Sequence, residues 1–249
     1  VILKEKAAVG ICYLKTSAYS GENKIFSARE VIISCGTINS PQLLQISGIG
    51  PGDLLSSLGI GVQHNLTGVG LNLRDHYATR LTARAKNVET INELSHGQRL
   101  FREILNYGLG RKSILELGPT LVYCFWHSDE KVRNNDLQIT FTPASYAKGQ
   151  QAKLDREPGF SITTWPQRPE SSGWVKIKSP CPFEKPLIQP NYLSSEQDQR
   201  ILISGIKLSR KIMKSSALSK YFDYEVYPGD HIQSDTELLE VARERSTTT

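Results

Sequence analysis

The stretch from Val31 to Gly50, VIISCGTINSPQLLQISGIG, does most to constrain the fold. Val31, Ile32 and Ile33 form an unbroken apolar run, the pattern of a strand covered on both faces. Ser34, Cys35 and Gly36 follow as small residues, and Gly36 lets the backbone turn or lie against a ligand. Ser40 reads as an N-cap with Pro41 in the first helical position, where its missing N–H is harmless. Leu43, Leu44 and Ile46 supply an apolar helix face, and Gly48 ends the helix with a residue suited to left-handed dihedrals. The pattern therefore predicts a buried strand, a tight turn and a short helix. A helix N-terminus aimed at a strand end offers unpaired N–H groups to a phosphate or another electron-rich group. The same residues also describe a well-capped βα unit with no ligand, and physics alone favours that plainer reading.

At 249 residues the chain is long enough for one large domain or parts of two. Its net charge of +5 is spread among acidic residues. The tightest basic cluster, Lys207, Arg210, Lys211 and Lys214, lies on an amphipathic helix and reads as a solvated face, so no nucleic-acid partner is expected. Cys12, Cys35, Cys124 and Cys181 show no metal spacing. Cys12 and Cys35 lie in apolar strands, so buried free thiols are expected there. Asn65-Leu66-Thr67 is a formal glycosylation sequon with nothing else pointing to secretion. No apolar run approaches the ~20 residues of a transmembrane helix. Val1 opens directly into a strand, with no signal peptide.

In chain order, strands are expected at Val1–Leu3, Val9–Leu14 and Ile25–Ala28, with a loop at Ser20–Asn23. A short helix should run from Pro51-Gly52-Asp53 to Leu58, and a short strand over Ile60–Gln63. Thr79–Ala85 alternates as a strand. Gly97–Tyr107 reads as a helix with Leu100, Ile104 and Leu105 inward, ended by Gly108-Leu109-Gly110-Arg111. Leu121–Trp126, Leu137–Phe141, Phe160–Trp165 and Trp174–Ile177 have strand character, and the polar turns between them predict an antiparallel sheet. Two capped helices close the chain. Ser194 with Gln197, or Ser195 with Asp198, starts the first, whose apolar side is Ile201, Leu202, Ile206, Leu208, Ile212 and Met213. Ser234 with Glu237 starts the second, with Leu238, Leu239 and Ala242 inward.

Two glycine clusters are decoys. Gly48-Gly50-Gly52 and Gly68-Gly70 mimic the start of the dinucleotide fingerprint G-x-G-x-x-G, but Asp53 and Leu73 stand where the third glycine belongs. Asp75 and His76 are adjacent, so on a strand they point to opposite faces and form no simple dyad. On its own, such a histidine is a satisfied structural residue. His64, His76, His96, His127 and His231 share no metal spacing, and His96 and His127 fall on surface turns. None is nominated as catalytic.

Several of these stretches also carry a family likeness. Gly36, Thr37, Ser40, Pro41, Leu43, Leu44 and Ser47-Gly48-Ile49-Gly50 resemble a signature of the glucose-methanol-choline (GMC) oxidoreductases. Gly68-Val69-Gly70 with Asn72-Leu73-Arg74-Asp75-His76 resembles the family's GVGxNLxDH. Arg168-Pro169-Glu170-Ser171, Gly173-Trp174-Val175 and Gln189-Pro190-Asn191-Tyr192-Leu193 resemble its choline dehydrogenase-like branch. The likeness runs through nearly the whole chain.

The resemblance implies an α+β (α/β) fold in which residues 1–78 belong to a Rossmann-like FAD-binding domain. Residues 79–249 would form a substrate domain, an antiparallel sheet flanked by helices, with the family's C-terminal region from about residue 168. It implies FAD as cofactor, with Ser34, Cys35, Gly36, Asn72, Asp75 and His76 on the cofactor side. It also implies hydride transfer from a primary alcohol, choline-like or other, to FAD, then to a quinone, another carrier or oxygen. A cytoplasmic or peripheral membrane location goes with it. The family's dinucleotide fingerprint would lie before Val1 and its catalytic histidine beyond Thr249. The 249 residues alone are therefore expected to hold little FAD and to be inactive. The rival expectation is a non-catalytic remnant or binding module that keeps the sheet. Thr67 and Lys112-Ser113 replace a proline and a Gly-Pro common in relatives, and Ser172 replaces an arginine. A choline site would need an aromatic cage, with Trp126, Trp165, Trp174, Tyr123 and Tyr146 available.

Overall fold

The computed structural model describes residues 1–14, 23–118, 120–147 and 153–248. Most of the loop expected at Ser20–Asn23 lies outside them. The chain forms two compact units, Val1–Arg74 with Ser171–Tyr192, and Asp75–Glu170 with Leu193–Thr249. The expected division fell at residue 78 and gave everything later to the second part. By compactness the first unit ends at Arg74 and regains Ser171–Tyr192, whose strands pair with its own.

The chain runs β1 (Ile2–Lys4), β2 (Ala7–Leu14), β3 (Asn23–Ser27), α1 (Gly36–Ile46), β4 (Ile49–Gly50), α2 (Gly52–Ser57), β5 (His64–Asn65) and β6 (Leu71–Leu73). It continues with β7 (Tyr77–Ala85), α3 (Ile91–Leu94), α4 (Gly97–Gly108), β8 (Val122–Trp126), β9 (Leu137–Thr142), β10 (Gly159–Pro166), β11 (Gly173–Lys176) and β12 (Leu187–Gln189). It ends with α5 (Glu196–Met213), β13 (Phe222–Tyr227), α6 (Asp235–Arg245) and β14 (Thr247–Thr248).

In the first unit, β1, β2 and β3 form an antiparallel sheet, β4 pairs with β5 in parallel, and β11 lies between β12 and β6. Four expectations fail here. Val31–Ile33 is not a strand, and Ile32 is 83% exposed. A strand that is apolar on both faces needs neighbours to take its backbone groups, and among the described residues no strand pairs with this one. For the same reason Cys35 is exposed rather than buried, as is Cys12 on a sheet whose Ile11, Ile25 and Phe26 also face solvent. The strand expected at Ile60–Gln63 is absent. The Gln63 and His64 N–H groups turn onto the Gly48 carbonyl, and pairing begins at His64. Finally, α1 starts at Gly36, so Pro41 sits inside it. Ser40 does not cap it in the expected sense; its Oγ reaches back to accept the Cys35 N–H at 3.0 Å. Gly48 does follow the helix with φ +83°.

The second unit is built on the antiparallel sheet β13-β7-β10-β9-β8, with β14 also on β7. Its core joins Leu81, Leu137 and Ile162 to Leu202, Ile206 and Met213 of α5 and Leu238 of α6, all almost fully buried. Gly205 allows that closeness, because a Cβ there would strike Thr164 Oγ1 and come within 2.7 Å of Leu137. Ser195 caps α5 by accepting the Gln197 N–H, while Asp198 turns inward and accepts the Glu170 N–H at 2.9 Å. Ser234 and Glu237 form the expected reciprocal box at the start of α6. Trp174–Lys176 is a strand, but of the first unit's sheet.

Helix α4 departs from expectation in orientation. It has no buried residue, and Phe101, Ile104 and Leu105 are exposed. The half-buried positions that include Leu100, Glu103 and Asn106 mark the side that rests on the fold. Among the described residues no helix is long and apolar enough to cross a membrane.

Candidate functional site

In the first unit the candidate residues surround α1 and β6. Ser34 and Cys35 are exposed in the irregular segment before the helix. Gly36 holds φ +80°, and nothing lies within 4 Å of where its Cβ would be. Cys35, at the N-cap position, makes no side-chain cap bond, and the first turn carries no acid. Ser40 Oγ takes the Cys35 N–H, and among the described residues the next amides of α1 have no side-chain acceptor. Asn72, in β6, is exposed and left-handed at φ +58°. Asparagine tolerates that conformation better than most residues, and it turns the side chain away from the regular pleat. Among the described residues no hydrogen bond joins Asn72 to Ser34, Cys35 or Gly36.

These two elements are fixed by a residue that sequence reasoning missed. The inward face of α1 is not Leu43, Leu44 and Ile46, which are half-buried, but Gln42 and Gln45. Gln45 is 0% exposed. Its Oε1 accepts the Ile177 N–H at 2.9 Å, and its Nε2 donates to the Val175 carbonyl at 3.0 Å and the Val69 carbonyl at 3.2 Å. One amide therefore ties α1 to β11 and to the turn before β6, using three of its four hydrogen-bonding positions. Gly70 makes room for it. A Cβ at Gly70, which holds φ +84°, would strike both the Val175 carbonyl and Gln45 Nε2. Gln42 Nε2 donates to the Glu184 carbonyl at 2.8 Å. The available signal was the pair of glutamines three apart, which share one helix face.

In the second unit Asp75 and His76 precede β7 in irregular backbone. Asp75 Oδ1 accepts the His76 N–H at 3.0 Å, so the carboxylate orients the backbone rather than the ring. His76 Nε2 lies 2.9 Å from the Gln167 carbonyl, and since a carbonyl only accepts, Nε2 carries a hydrogen. The His76 ring is 5.9 Å from that of Trp165. Trp165 Nε1 and Gln167 Oε1 are both buried with no hydrogen-bond partner among the described residues. A donor and an acceptor on two residues that neighbour His76 are thus left unused.

Four of the aromatic residues each have a ring or cation neighbour. Trp126 stacks on His127, Trp165 neighbours His76, Arg80 lies over Tyr146 and Lys176 over Trp174. Among the described residues no cluster of His, Cys, Asp or Glu is suited to a metal.

A family model described as GMC oxidoreductase, N-terminal part, matches residues 1–78, and its C-terminal counterpart matches residues 169–249. Human mitochondrial choline dehydrogenase is 35% identical over 243 residues, 96% of this chain and 39% of its own length. The alcohol dehydrogenase (acceptor) of Pseudomonas putida is 32% identical over 249 residues, 100% of this chain and 45% of its own length. The chain thus spans about two fifths of these relatives. An FAD-dependent oxidoreductase from Chaetomium thermophilum shares the fold with a TM-score of 0.82 at 19% identity, over 100% of this chain and 49% of that one.

Proposed function

The chain belongs to the GMC oxidoreductase family, and from that membership we propose that it serves an FAD-dependent alcohol dehydrogenase acting on CH–OH groups. Residues 1–78 would be the C-terminal portion of the FAD-binding region and residues 79–249 the substrate region. The observation that carries the reading is the pairing of family matches at both ends of the chain with an antiparallel sheet between them, flanked by α5. When bound, FAD supplies the hydride acceptor for a primary alcohol, choline-like or other. A quinone, another carrier or oxygen is the proposed final acceptor, and the proposed location is the cytoplasm or a membrane surface.

The residues present suit such a cofactor. Ser34, Cys35 and Gly36 are exposed beside the first amides of α1, which beyond Cys35 have no side-chain acceptor among the described residues, and the space over Gly36 is open. Donors of this kind favour an electron-rich or anionic group. Asn72, Asp75 and His76 are the further proposed cofactor-side residues. For Asn72 the support is its exposed left-handed conformation. For His76 it is the unused donor and acceptor on its neighbours. The catalytic proton acceptor is not assigned to any residue of this chain.

The test is made on the full-length protein. Flavin content is read from visible absorbance, and turnover from dye reduction with a panel of primary alcohols that includes choline. Bound flavin with turnover of at least one alcohol is expected. Absence of both sinks the proposal. Asn72→Ala and Asp75→Ala should each lower flavin content or turnover, and unchanged values remove those residues from the site.

A further inference from the structure

Helix α4 rests on its own unit by its polar side. Successive residues advance about 100° around a helix axis. Phe101, Ile104, Leu105 and the following Leu109 therefore share one arc, and all four are exposed, Phe101 by 63% and Leu109 by 66%. The opposite side carries Glu103, whose carboxylate accepts the Ile114 N–H at 2.9 Å and whose carbonyl accepts from Ser113 Oγ at 2.9 Å. A helix stabilised by the usual burial of its apolar stripe would be turned the other way.

The charges on this segment have one sign on the outside. From Gly97 to Lys112 the ionised side chains are Arg99, Arg102, Arg111, Lys112 and Glu103. Glu103 is the carboxylate already turned onto the Ile114 N–H. Arg99 pairs with Glu89 and Glu93, while Arg102, Arg111 and Lys112 are exposed and make no ion pair among the described residues. An exposed arc of Phe, Ile and Leu edged by unpaired cations suits an anionic lipid surface, with the apolar side chains among the acyl chains and the cations at the headgroups. A second copy fits less well, because a two-fold contact through this arc brings the same cations together.

We propose that α4 is a membrane-surface anchor that lays Phe101, Ile104, Leu105 and Leu109 into an anionic lipid leaflet, with Arg102, Arg111 and Lys112 at the phosphates. The proposal does not depend on the flavin reading. Its test is sedimentation of the full-length protein with vesicles of phosphatidylcholine, with and without phosphatidylglycerol. The protein should pellet with the anionic vesicles, less so at high salt. Phe101→Glu with Leu105→Glu should abolish pelleting while the thermal midpoint stays unchanged. Arg102→Gln with Arg111→Gln and Lys112→Gln should remove the preference for phosphatidylglycerol.

A measurement without substitutions uses hydrogen exchange of the unaltered protein, where anionic vesicles should slow the amides of residues 97–109. Wild-type protein left in the supernatant with both vesicle types overturns the proposal. Undiminished pelleting of the Phe101/Leu105 variant does the same, and so does amide exchange that is already slow without vesicles. That last result, or a dimer that the double variant splits, assigns the arc to a protein partner.

Discussion

Helices α1 and α5 each lay one side against strands of their own unit, α1 against β11 and α5 against β9 and β10. Their inner sides differ in how much of the contact is apolar. The middle of α5 presents Ile201, Leu202, Ile206 and Met213, held mainly by area removed from water, with Asp198 near its start and Arg210 near its end bonded to the Glu170 N–H and the Glu225 carboxylate. α1 presents Gln42 and Gln45, held by hydrogen bonds to named backbone atoms. An apolar stripe fixes which side of a helix faces in but tolerates small slips, whereas a buried amide with three partners fixes one register. Four of the proposed cofactor residues, Ser34, Cys35, Gly36 and Asn72, lie in the unit whose helix is fixed in the second way.

The comparison is most exposed to Gln45→Leu. The volume is kept, but the Val69 and Val175 carbonyls and the Ile177 N–H lose their partner. At about 1–3 kcal/mol for each buried group left unsatisfied, the expected loss is about 4 kcal/mol. Urea denaturation measures it, and exchange of the Ile177 amide should accelerate while amides of β9 and β10 are unchanged. A loss below that of a routine core truncation would mean that the amide is incidental.

Leu202→Ala is the matching test in α5. It should cost about 3 kcal/mol through lost burial and a residual cavity. It should leave Ile177 exchange untouched, and coupled behaviour of the two variants would erase the distinction between the regions.

A smaller effect is expected at the start of α6, where Ser234→Ala should cost about 1 kcal/mol through the lost cap. Hydrogen bonds from the Ser234 side chain, and then from the Ser234 and Gln233 backbone, hold the Glu237 carboxyl below the usual glutamate range. Its contribution is therefore complete above the unfolded glutamate pKa, about 4.3, and fades as the pH falls through the lower folded value. The variant should show a shallower acid limb in a stability–pH profile, and an unchanged limb would exclude the reciprocal box as its source. Smallest of all, Phe101→Glu should shift folding stability by less than about 0.5 kcal/mol, because that side chain faces solvent. A large loss in thermal midpoint would mean that α4 is packed by its apolar arc after all.

What was legible in the sequence follows the same line. The apolar side of α5, the Ser234–Glu237 box and the strands at Tyr77–Ala85, Leu137–Thr142 and Gly159–Pro166 were readable, since periodicity and local caps report on burial and on neighbours a few residues away. The inward glutamines of α1 were not, because their partners lie 24 to 142 residues distant. Val31–Ile33 misled because an apolar run states a preference for burial without supplying the strands that would bury it. α4 misled because amphipathicity gives the direction of an apolar face and not what that face meets. Of the candidate site, Gly36 was visible as a residue type suited to unusual backbone and Asn72 only through the family likeness, while the unpartnered Trp165 Nε1 and Gln167 Oε1 emerged only from the fold.

The Gln45 bonds have one more consequence. All three end on main-chain atoms, so none reads the identity of the side chain at the other end. Val69 is only half-buried, and the bond to its carbonyl would be the same with another residue in its place. Positions 45 and 70 are bound by the geometry itself. A library randomised over 45, 69 and 70 should return a nearly fixed glutamine and glycine around a freely drifting neighbour, with the selective burden carried by the residue that reaches out and the one that makes way.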